Sequence, residues 1–172
     1  MYFSNPFSEE CIDTLNHGVS YLLRLSHVYL GMAYGLIVDR KMPTIAQFFE
    51  READTKRRLA DKFVQLLGKL KYRICRPIPE DLKMSKTDTP TEAILMAQEL
   101  EGIVREMLDL LIEISVADHH ADLSKFFHPL LEAQKKNEDF LKFLLHYQQI
   151  EESRIQEPFD SAKPSTSSGA GI

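Results

Sequence analysis

Arg76-Pro77-Ile78-Pro79-Glu80-Asp81-Leu82-Lys83-Met84-Ser85-Lys86-Thr87-Asp88-Thr89-Pro90 divides the chain and sets its topology. Pro77, Pro79 and Pro90, with no helical period between them, exclude a long helix across this stretch. On both sides apolar residues recur at alternating three- and four-residue spacing, the signature of long amphipathic helices. Before it lie two helical segments, about 9–38 and about 44–71. After it lie two more, about 90–117 and about 122–153. The first carries Ile12, Leu15, Val19, Leu22 and Tyr29, and the second Ile45, Phe49, Leu59, Phe63 and Leu66. The third carries Ile94, Ala97, Val104, Leu108 and Leu111, and the fourth Leu123, Phe127, Leu130, Leu141 and Leu144.

The connections fix how these helices run. The first pair and the last pair are each joined by a short turn, so each is an antiparallel hairpin. The middle connection is far longer, and a loop of that length inside a compact domain needs a structural reason. Running the length of a bundle supplies it and leaves the second and third helices parallel. The expected fold is all-α, a four-helix bundle with one long crossover between the second and third helices. Thr89-Pro90-Thr91-Glu92 reads as the start of the third helix, with Thr89 as N-cap, Pro90 at the first helical position and Glu92 closing a capping box.

Composition bounds the function. Of 172 residues, 44% are hydrophobic and 27% charged, the balance of one soluble globular domain. With 21 basic against 26 acidic residues, the formal charge of −5 gives no footprint for nucleic acid. No uncharged apolar run reaches roughly 18 residues, so no membrane span is expected. The N-terminal residues lack a signal-peptide pattern, and Cys11 and Cys75 form neither a disulfide framework nor a CxxC site. A cytoplasmic protein is the expectation. After Gln156 the sequence turns to Pro, Ser and Gly without periodicity, so residues 1–156 read as the bundle domain and 157–172 as a disordered tail.

The centre of such a bundle is where a metal site would sit, because iron takes carboxylate oxygens and imidazole from facing helices. The polar residues on the inner stripes are Glu52 and Lys56, then Glu101, then Gln134. Glu101 stands between Ala97 and Val104 on an apolar stripe. It is either a metal ligand or a buried carboxylate, and an unpaired buried charge costs several kcal/mol, on the order of the penalty for a lost partner. Lys56 on the neighbouring stripe is the natural partner, so a direct Lys56–Glu101 ion pair in the core is expected, walled by Leu22, Leu59 and Val104. His17, His27, His119, His120, His128 and His146 read as surface or packing residues. The adjacent His119 and His120 in the last turn cannot share a helical face. Glu50-Arg51-Glu52-Ala53-Asp54 followed by Lys56-Arg57-Arg58 reads as a solvated face with i,i+4 pairs.

Four stretches carry a family resemblance. Ser26-His27-Val28-Tyr29-Leu30-Gly31-Met32-Ala33-Tyr34 resembles the first helix of animal ferritins. Ala46-Gln47-Phe48-Phe49 with Ala53-Asp54-Thr55-Lys56-Arg57-Arg58 resembles the second, Ala97-Gln98-Glu99-Leu100-Glu101 the third, and Leu123 to Gln134 the fourth. Ferritin subunits store iron inside a hollow cage. The heavy type oxidises Fe(II) at a di-iron centre, and the light type favours mineral growth on an acidic inner surface. The resemblance places the di-iron ligand positions on Leu22, Lys56, Leu59, Glu101 and, in the fourth helix, Gln134 or Lys135.

Glu101 would then be a remnant of that centre, and a lysine at Lys56 is closest to the light type. The mineral-facing positions fall on Arg51, Asp54, Thr55 and Arg58, of which only Asp54 is acidic. The acids of the iron-entry channel fall on Lys125 and His128. Pro129 is expected to kink the fourth helix or delay its start to Ser124–Pro129. The fifth helix of ferritins is replaced by the Ser/Pro/Gly tail. The resemblance implies a non-catalytic ferritin-like subunit, with no required cofactor and iron bound weakly if at all. Its expected partners are further copies or other ferritin subunits. The alternative is a ferritin-fold structural or interaction protein that no longer stores iron.

Overall fold

Side chains repeating every three and four residues close into four helices: α1 (Glu9–Val38), α2 (Pro43–Lys69), α3 (Pro90–Ala117) and α4 (Ala121–Asp160). The computed structural model describes residues 7–38, 43–70, 72 and 89–160, and among these no strand occurs. Each helix turns one stripe inward. Leu15, Leu22 and Tyr29 of α1, Phe49 and Phe63 of α2, Leu108 and Leu111 of α3, and Leu123 and Phe127 of α4 are fully buried in one continuous core. Phe63 and Phe127 meet edge to face at 6.0 Å, the geometry that aromatic quadrupoles favour.

Contacts at the ends give the directions. The Ser8 amide reaches the Asp118 carboxylate at 3.4 Å, so α1 starts where α3 ends. Thr91 donates to Glu152 at 2.8 Å, so α3 starts beside the far part of α4. Both pairs are antiparallel. Since α1 and α2 form a short-turn hairpin, α2 and α3 run parallel, and the end of α2 and the start of α3 stand about one helix length, about 40 Å, apart. Apart from Tyr72, the residues between Leu70 and Thr89, Cys75 among them, lie outside the described residues.

Local signals explain the boundaries. Thr89 caps α3: its hydroxyl accepts from the Glu92 amide at 3.1 Å, and the Glu92 carboxylate accepts from the Thr89 amide at 3.0 Å. At the other end of α3 the chain reverses through His119 at φ 57°, with the His120 amide bonded to the Ser115 carbonyl at 2.8 Å. This is a Schellman closure with histidine where glycine is usual. His120 tucks edge-on against Phe7 at 4.7 Å. Gly18 permits a close approach of helices, since a Cβ there would stand 2.7 Å from Met107 Sδ and 3.0 Å from Phe63 Cε2.

Two expectations need correction. Pro129 does not delay α4, which begins at Ala121 and passes through it. Pro129 is exposed, while Leu123, Phe127 and Leu131 are buried around it and hold both flanking turns to the core. Second, α4 extends to Asp160, past the Gln156 boundary read from composition. The remaining tail, 161–172, and with it the question of a fifth helix, lies outside the described residues. By length and composition alone α1 also passes for a membrane span, with a mean hydropathy of 1.2 over its best window. A single charge such as Arg24 interrupts an uncharged run without lowering the mean much. Much of that apolar surface is turned into the bundle core.

Candidate functional site

Halfway along the bundle the four apolar stripes give way to polar side chains from every helix. Lys56 and Glu101 are 1% and 0% exposed, and Lys56 Nζ lies 2.5 Å from Glu101 Oε2. Parallel α2 and α3 bring mid-height to mid-height, so the two charges meet although 45 residues separate them. Leu22 and Val104 beside them are fully buried and Leu59 is half-buried.

Glu101 is fully engaged. Its Oε1 accepts from the Tyr29 hydroxyl at 2.5 Å. Its Oε2 accepts from Lys56, from Gln134 Nε2 at 2.6 Å and from Asn137 Nδ2 at 3.1 Å. Gln134 Nε2 also donates to the Glu101 carbonyl at 3.0 Å. Lys56 in turn faces Gln134 Oε1 at 3.4 Å and Glu52 Oε2 at 3.5 Å. The ammonium thus has an acceptor for each of its three protons. Asn137 Nδ2 closes the ring by donating to Glu52 Oε2 at 2.8 Å. Two carboxylates against one ammonium leave the cluster one formal negative charge.

Burial dominates the titration of two of its members. Burial is the main cause raising the Glu52 carboxyl above its usual range, and Glu101 adds to it, against the opposing pull of Lys56 and Asn137. The Tyr29 phenol is held well above its ordinary value, first by burial and then by Glu101. Elsewhere, burial pushes the Cys11 thiol up to about 11, which leaves it protonated and unreactive at neutral pH.

The other residues singled out from sequence fall as follows. Gln134 is buried in the cluster, while Lys135 is exposed and pairs with Glu132 at 3.1 Å, so Gln134 is the inward residue of α4. Asp54 lies outside the cluster and is bridged by Arg57 at 2.8 Å and Arg58 at 2.6 Å. Lys125 and His128 are exposed on α4. Among the described residues no three or more His, Cys, Asp and Glu side chains converge to hold a metal ion.

Two members of the cluster escaped the sequence reading. Tyr29 reads as an ordinary core aromatic, yet it lies seven residues after Leu22 on the same stripe, and its hydroxyl needs a partner when buried. Asn137 lies one turn beyond Gln134, where an inward polar residue could have been sought.

The family profile of the ferritin-like domain matches residues 12–150. The chain belongs to that family, whose members are associated with iron storage. No curated protein matches it significantly.

Proposed function

We propose that the chain is a non-catalytic subunit of the ferritin family, contributing to intracellular iron storage without oxidising iron itself. The observation that carries this reading is the Lys56 ammonium 2.5 Å from Glu101. It stands where the family resemblance would put a metal ligand, and it brings a positive charge to the point a cation would take. Leu22 and Leu59 offer only alkyl groups there. A donor set of the saturated Glu101 carboxylate, a Glu52 carboxylate shared with Lys56 and Asn137, two amides and an ammonium does not fit a pair of iron ions, which need several free carboxylate oxygens and imidazole. The subunit would associate in the cytoplasm with its own copies or with other ferritin subunits, diluting active centres in a mixed assembly.

The test is Fe(II) oxidation in air, followed by absorbance on the purified chain and compared with buffer. The expected rate equals that of buffer. A saturable rate abolished by Glu101→Ala would overturn the reading.

A second reading is favoured by Asp54. The one acid at the expected mineral-facing positions is tied to Arg57 and Arg58, which leaves that surface without a free carboxylate for iron. On this reading the chain is a ferritin-fold structural or interaction protein that has left iron behind. Assembly size separates the two: a large cage, alone or with an active ferritin subunit, supports storage, and a dimer or monomer supports the alternative.

A further inference from the structure

Outside the buried cluster, α2 and α4 stand apart and leave an open cleft of about 650 Å³. Its floor is Lys56, Gln134, Asn137 and Glu52, and its apolar wall is Leu59, Leu130, Ala133 and Phe140. Most polar atoms of the floor are already paired. Every proton of Lys56 has an acceptor, and both carboxylates accept from the ring described above.

The rim is different. Arg58, Lys62 and Lys136 edge the cleft. Neither Lys62 nor Lys136 has an ion-pair partner among the described residues, and Arg58 shares its charge with Asp54 only. Among the described residues the one acid lining the cleft is Glu52, which is committed to Lys56 and Asn137. In a chain of net charge −5, this mouth is locally positive. The exposed ring of Phe140, 47% accessible, and the half-buried Leu59 and Leu130 give an apolar surface immediately beneath the charges.

From this pairing of an apolar wall with an unneutralised cationic rim, we propose that the cleft binds a small organic monoanion, with its apolar body on Leu59, Leu130 and Phe140 and its carboxylate head on Lys62 and Lys136. Inorganic phosphate would satisfy the rim and leave the wall wet, and a neutral apolar compound would leave the cations unanswered. Pockets of about 300–1,000 Å³ are the range in which small ligands bury most of their surface. The inference does not rest on a role in iron storage, because it uses residues outside the ion-pair cluster.

The experiment is calorimetric titration of the full chain with 2-naphthoate, and in parallel with its neutral counterpart 2-naphthamide and with inorganic phosphate. The expected result is one naphthoate site, with the amide and phosphate each weaker by about tenfold or more. Lys62→Glu with Lys136→Glu should weaken naphthoate by at least about tenfold, as loss of a charge-assisted contact does. Ala133 is exposed, so Ala133→Trp should fill the cleft and abolish binding while helical circular dichroism and thermal midpoint stay unchanged. Absence of naphthoate binding at millimolar concentration would overturn the proposal. So would affinity unchanged in both variants, phosphate binding as tightly as naphthoate, or the amide binding as tightly as the acid.

Discussion

Replacing Lys56 by Met removes the cation of the buried cluster. Glu101 is then left at 0% exposure with donors from Tyr29, Gln134 and Asn137 but no opposite charge. Breaking a buried ion pair from one side costs about 3–5 kcal/mol. The three surviving hydrogen bonds place this case at the lower end, about 3 kcal/mol. Glu101→Gln leaves Lys56 facing Glu52 at 3.5 Å and should cost a similar amount, because the introduced amide keeps one acceptor and loses the charge. Lys56→Met with Glu101→Leu removes both charges and fills the space with alkyl groups. That double variant should be destabilised less than either single variant, which means a coupling energy above about 3 kcal/mol.

Urea unfolding at neutral pH and fixed protein concentration reads this directly. With a slope of about 2 kcal/mol per molar, a loss of about 3 kcal/mol moves the midpoint down by about 1.5 M. If the two single losses simply add in the double variant, or if Lys56→Met shifts the midpoint by less than about 0.3 M, the pair does not hold the core as described.

Other outcomes follow from single features. Because the folded Glu52 carboxyl is raised, the folded chain binds its proton more tightly than the unfolded one. Glu52 therefore costs stability at neutral pH, and that cost is relieved as pH falls through its folded pKa toward the unfolded value. Glu52→Gln should flatten this part of the thermal midpoint's pH profile, and an unchanged slope would refute the assignment. Gly18→Ala would set a methyl against Met107 and the fully buried Phe63, so a net loss of about 1–2 kcal/mol is expected after the gain in helix propensity. A stabilised variant in chemical denaturation would show that Met107 yields freely. Thr89→Ala should cost about 1 kcal/mol by removing the capping box of α3, with faster amide exchange confined to its first turn. Exchange unchanged there would sink that assignment.

The helical stripes were legible because a period near 3.6 depends only on which residues are apolar. The α3 start at Thr89 was legible because capping is local chemistry. Lys56 and Glu101 could be paired from sequence through one topological step, the long crossover that makes their helices parallel. Asn137 and Tyr29 were not, since a hydroxyl or amide finds its partner through side-chain direction and depth, which spacing does not encode. Pro129 misled for a related reason. A proline removes one hydrogen bond locally, but whether a helix stops there depends on how firmly both flanking turns are buried. The continuation of α4 to Asp160 likewise runs against a composition rich in helix breakers.

The polar cluster draws one or more side chains from each of the four helices, so it also acts as a register key. The two hairpins, α1 with α2 and α3 with α4, can each form from residues close in sequence. The cluster requires them to dock at one relative height, because sliding either hairpin by a single helical turn of about 5.4 Å would part both Lys56 and Tyr29 from Glu101. Apolar stripes alone tolerate such slippage, since one leucine substitutes for the next. Contacts that join residues 45 to 78 positions apart close only as the hairpins come together, so their loss should chiefly hasten unfolding and leave the rate of hairpin formation nearly unchanged.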